Sequence, residues 1–137
     1  MNKTLPLVLL LLAATAALSQ QTGKPVQDES ALLVGDWRGD SICQVRPSAC
    51  NDEKALYRFK KLGDQPNRFS LDAFKVVNGE AVLMGDPIEC SFAPEKHTVT
   101  CSAPKSTVQL ALTGKSLNGT MNLADGTVWR KITLRHD

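Results

Sequence analysis

The chain has 137 residues and a formal net charge of +2, with 42% hydrophobic and 5% aromatic residues. That length suits one domain with a single core. A charge so close to neutral argues against general electrostatic attraction to nucleic acid or to acidic membranes.

The chain opens MNKTLPLVLLLLAATAALS, with one early cation, Lys3, an apolar run from Leu7 to Ala14 and small residues after it. Ala17 and Ser19 fit the small-residue positions of a signal-peptidase site, which predicts a cleavable signal peptide over 1–19 and a secreted or periplasmic protein. The apolar run is too short to span a bilayer comfortably and no second one follows, so no membrane span is expected. Loss of Lys3 lowers the formal charge from +2 to +1. The next stretch, QQTGKPVQDESA at 20–31, is polar with Gly and Pro and reads as a flexible leader. A single domain is expected over 32–137, in a monomer.

A first strand is predicted over Val34–Cys43. Gly35, Trp37, Gly39, Ser41 and Cys43 share one face of it, and Asp36, Arg38 and Asp40 the other. The stretch contains Arg38-Gly39-Asp40-Ser41, the tetrapeptide of cell-adhesion ligands. An adhesion contact needs both charges at a loop tip, and a paired strand provides none, so the strand reading is preferred.

Four cysteines behind a signal peptide predict two disulfides, and the spacings favour the local pairs Cys43–Cys50 and Cys90–Cys101. Each short loop would contribute roughly 2–3 kcal/mol in the chain-entropy picture. A metal site is not expected, because there is no C-x-x-C and only His97 and His136 could assist. No cofactor is expected either.

Tyr57 and Phe59 alternate with Arg58 and Lys60, which predicts a strand over about Ala55–Leu62. Asn78-Gly79 is a strong two-residue hairpin signal, because such turns need positive φ. Around it both faces carry apolar residues, Phe74, Val76 and Leu83 on one, Leu71, Ala73, Val82 and Met84 on the other. Either a bulge or cover on both sides would account for this.

From Ile88 onward the turns fix a register. An Asp125-Gly126 loop sets Leu123 opposite Val128, Met121 opposite Arg130, Gly119 opposite Ile132 and Leu117 opposite Leu134. A Gly114-Lys115 loop sets Leu112 opposite Leu117 and Val108 opposite Met121. A turn at Ala103–Ser106 sets Cys101 opposite Val108, and one centred on Glu95-Lys96 sets Cys90 opposite Cys101. All these choices gather the apolar residues on one face, and a slip of one residue would invert every side chain. The predicted fold is therefore all-β, an up-and-down antiparallel meander of about eight or nine strands. Closure into a small barrel would remove its exposed edges.

Gly35-Asp36-Trp37 on the first strand, with Arg130 on the last, resembles the lipocalin-type (calycin) arrangement. In that family a first-strand G-x-W tryptophan packs beneath an arginine from the final strand and closes one barrel end. The chain is also similar to small secreted bacterial proteins of unknown function. Those share G-x-W-x-G-x-S-x-C, C-x-D-E and D-G-T-V-x-R, found here at Gly35–Cys43, Cys50–Glu53 and Asp125–Arg130. The resemblance implies a lipocalin-like barrel and brings no activity with it.

Arg130 is the lone charge on an otherwise apolar face, and an unpaired buried charge is costly. It either plugs the barrel, stacked on Trp37 and bonded to carbonyls or a carboxylate, or anchors an anionic ligand inside. Trp37, Phe59, Met121 and Arg130 are the candidate ligand-binding residues. Asp52 and Glu53 read as a cap or as surface ion pairs of small worth, against a carboxylate site for a cation or a partner's arginine. No nucleophile–base–orienter set is present, so the chain is not expected to be an enzyme. Two functions remain: a binding module for a small apolar or anionic ligand, or a module that engages a secreted protein partner, such as an inhibitor of a secreted hydrolase.

Overall fold

The computed structural model describes residues 28–137; the predicted signal peptide and residues 20–27 of the leader lie outside the described residues. A five-residue helix α1 (Glu29–Leu33) precedes nine strands: β1 (Gly35–Cys43), β2 (Glu53–Lys61), β3 (Arg68–Val77), β4 (Glu80–Leu83) and β5 (Ile88–Ala93), followed by β6 (Thr98–Ser102), β7 (Ser106–Thr113), β8 (Ser116–Leu123) and β9 (Val128–His136). All pair antiparallel in one sheet. Eight of them close into a barrel, because β1 pairs with both β2 and β9 while β3 pairs with both β2 and β5. Among the described residues β4 pairs with β3 alone and stands outside the ring.

The register from β5 to β9 follows the turn chemistry. Cys90 pairs with Cys101, Cys101 with Val108, Val108 with Met121, and Met121 with Arg130. Both local disulfides, Cys43–Cys50 and Cys90–Cys101, are formed. The one departure lies at the last hairpin, where Leu123 does not pair with Val128. Gly126, at φ 89, closes a turn back to Leu123, whose N–H donates to Thr127 O. The loop thus takes one residue more than expected, and a bulge returns it, since Asn122 pairs with Val128 and Met121 with Arg130. From Met121 and Arg130 onward the two irregularities cancel, but Val128, now opposite Asn122, turns outward and is 39% exposed.

The front half resolves through β3. Its first residues pair with β5 and its last with β4, so the β3–β4 hairpin rises past the barrel rim. Asn78 and Gly79 both take positive φ, as the hairpin turn requires. Every residue of β4 is exposed, which accounts for apolar side chains on both of its faces.

Two glycines let the ring curve. A Cβ on Gly39 would stand 1.9 Å from Thr133 O, and one on Gly119 would stand 1.8 Å from Gln109 O. At both places a neighbouring strand crosses where a side chain would begin, as tight bends in small barrels demand. Arg38 and Asp40 flank the first of these glycines in a strand bonded on both sides. Arg38 Nε donates to Asp137 at 2.7 Å and Lys54 pairs with Asp40. The tetrapeptide is strand, not loop.

One barrel end is plugged. The Asp28 carboxylate caps α1 by accepting from Ser30 N at 3.1 Å. Leu33 and Trp37 are fully buried, and the Trp37 indole N–H donates to Leu33 O at 2.9 Å. The described structure thus begins within the stretch read as a leader, whose residues 29–31 open the helix α1. Phe59, opposite Gly35, fills the same end.

Candidate functional site

At the other end a cavity of about 240 Å³ opens between the strands. It holds two of the four candidate residues, Met121 on β8 and Arg130 on β9. Trp37 and Phe59 are not part of it. They belong to the plugged end, and the Arg130–Trp37 stack implied by the lipocalin resemblance is absent. Trp37 pairs across the sheet with His136, while Arg130 pairs with Cys43. Six residues of β9 separate the two positions, roughly 20 Å at a strand's ~3.3 Å rise. The ring that meets the indole is His136, edge-on with centroids 4.7 Å apart.

Arg130 is held where it stands. Its Nη1 donates to Asn51 O at 2.9 Å and lies 3.2 and 3.3 Å from the carbonyl and hydroxyl oxygens of Ser41. Its Nη2 meets Glu53 Oε1 at 3.3 Å. The side chain is only 11% exposed and Glu53 21%, so the pair is shielded from bulk water. A guanidinium tolerates this because its charge is matched and both of its terminal nitrogens are engaged.

Asp52 and Glu53 have separate tasks. Strand alternation sends them to opposite sides. Asp52 accepts from Cys43 N at 2.9 Å and from Arg46, tying down the loop closed by Cys43–Cys50. Glu53 turns inward to Arg130. The reading of both as surface ion pairs holds for Asp52 and fails for Glu53. The signal was available: with Tyr57 and Phe59 facing in, the period of two puts Ala55 and Glu53 on the same side.

Tyr57 is the other residue not singled out in the sequence. It is 1% exposed, and burial pushes its phenol up to about 12; the Arg130 charge opposes that rise and the Glu53 charge adds to it. The hydroxyl is therefore neutral at ordinary pH and borders the cavity beside the ion pair.

Leu71, Ala73, Ile88 and Val108 complete an apolar wall opposite, and Met84 extends it toward the rim. A larger groove of about 670 Å³ runs outside the barrel along β5 and β6. Of its charged residues, Arg68, Asp86 and Glu89, the first and last pair with each other at 3.0 Å in the open. The smaller mouth cavity, with polar groups converging in a shielded place, is the better ligand site.

Among the described residues no group of three His, Cys, Asp or Glu is placed to hold a metal ion, and no helix is long and apolar enough to cross a membrane. The two disulfides fit an oxidising compartment. No protein family matches the chain, and no curated protein sequence matches it either.

Proposed function

We propose that the chain is a non-catalytic binding module, a lipocalin-like barrel that holds one small molecule in its mouth. The supporting observation is the cavity itself: an apolar wall faced by Arg130, Glu53 and Tyr57, at the end opposite the Trp37 plug. A volume of about 240 Å³ suits a ligand below drug size. Catalysis gains no support from the histidines. His97 meets Glu29 of α1 and His136 meets Trp37, so both rings belong to the plugged end and neither lines the mouth cavity.

The β3–β4 hairpin favours a second reading, a surface for a secreted protein partner. Val77 and Val82 are 45% and 43% exposed on one of its faces and Leu83 52% on the other, and large apolar side chains left exposed together mark interaction sites. Native mass spectrometry of the protein purified from its own host's envelope separates the two. A co-purifying small mass supports the ligand reading, and a stoichiometric protein partner supports the other. A bare chain at its own mass counts against both.

A further inference from the structure

The walls of the mouth cavity differ in kind. Ser41, Glu53, Tyr57 and Arg130 come from the adjoining strands β1, β2 and β9, whereas the rest of the ring, β3, β5, β7 and β8, supplies apolar side chains and a single polar one, Ser106. Hydrogen-bonding capacity on the polar wall is unevenly used. Arg130 Nη1 has three oxygens within reach, but Nη2 carries two N–H groups and meets Glu53 Oε1 alone. The Glu53 carboxylate has lone pairs left over after that single contact. A cationic donor and an anionic acceptor therefore stand side by side, with cancelling charge and spare capacity on each. Among the cavity's lining residues no other charge is present.

We infer that Glu53 makes the cavity selective for neutral ligands bearing both a donor and an acceptor, such as a primary amide on a short apolar chain, and turns carboxylates away. This rests on the reading of the mouth as a ligand site. A carboxylate drawn to Arg130 would have to lie against the Glu53 carboxylate where little water screens them, and like charges so placed disfavour binding. An amide meets both groups at once. Its carbonyl accepts from Arg130 Nη2, its N–H donates to Glu53, and its chain lies on Leu71, Val108 and Met121. Every polar atom buried by binding then keeps a partner. The anionic ligand suggested by a lone arginine is disfavoured because the arginine is not alone.

The test titrates hexanamide and hexanoate into the disulfide-bonded protein and into E53Q, following the methyl resonances of Met84 and Met121 at the cavity. The wild-type protein should bind hexanamide at least about tenfold more tightly than hexanoate. In E53Q, where a neutral amide replaces the carboxylate, that preference should shrink by a similar factor. Hexanoate binding as tight as hexanamide in the wild type, or an unchanged preference in E53Q, overturns the inference and leaves the ligand site standing. If neither probe moves the methionine resonances of either protein, the ligand-site reading falls and the inference with it. The wild-type ratio decides the matter even where E53Q fails to fold.

Discussion

Glu53 Oε1 lies 3.3 Å from Arg130 Nη2 across the mouth of the barrel, although seventy-seven residues separate them in the chain. The pair supports the fold and shapes the cavity, and the two effects are separable. Removing one partner leaves an uncompensated, shielded charge. Arg130→Met alone should therefore cost about 3 kcal/mol of stability, and Glu53→Leu alone a comparable amount. The double variant should recover most of that loss. Urea denaturation of the four proteins closes the cycle, and strictly additive losses would show that the pair is not coupled.

Tyr57 is the only tyrosine in the chain, so tyrosinate absorbance reports it alone. Its folded value is about 12, against about 10 in an unfolded chain. Between these values the unfolded state releases the proton while the folded state keeps it, so stability falls as pH rises. The contribution is complete below about pH 10 and lost by about pH 12, a total of about 2–3 kcal/mol. Tyr57→Phe should flatten this dependence. A midpoint near 10 in the native protein would mean that the phenol is open to water.

Gly39 tests the curvature of the ring. An added methyl collides with Thr133 O, a backbone atom that cannot swing away, so Gly39→Ala should cost about 2–3 kcal/mol. Gly79→Ala meets nothing within 4 Å and carries only the strain of positive φ, about 1 kcal/mol. Asp40→Glu should leave both stability and cell attachment unchanged. Attachment that depends on Asp40 would contradict the paired strand.

Trp37 and Met121 should part company. Trp37→Phe loses the bond to Leu33 O and the edge contact with His136, at a cost of about 2–3 kcal/mol. Because it sits at the plugged end, it should leave hexanamide affinity as it was. Met121→Ala should do the reverse, with a smaller stability loss and weaker binding. Equal effects of both variants on binding would mean that the two ends communicate.

Much of the barrel was legible because hairpins are local. Asp125-Gly126, Gly114-Lys115 and the Pro94–His97 turn each set a register a few residues away, and the period of two then assigned the inward side chains of β5–β9, Val128 excepted. The bulge at Asn122 was not legible. It follows from a turn that absorbs one extra residue, and Asp-Gly serves both loop lengths equally well. Glu53 could have been found from Tyr57 by alternation, but its partner could not, since no turn joins β2 to β9.

The amino-acid order by itself determined the strands and pairings from β5 to β9, both disulfides and, Val128 apart, the face of that meander that would be buried. Each depends on neighbours in the chain or on one turn. Closure of the ring decided the rest. Pairing β1 with β9 has no connecting turn to set its register, so only the folded barrel fixes which residues share an end. That pairing put Trp37 with His136 and Arg130 with Cys43, separating a tryptophan and an arginine that resemblance had joined. It also brought Glu53 and Arg130 into one shielded place, where a buried charge required a partner.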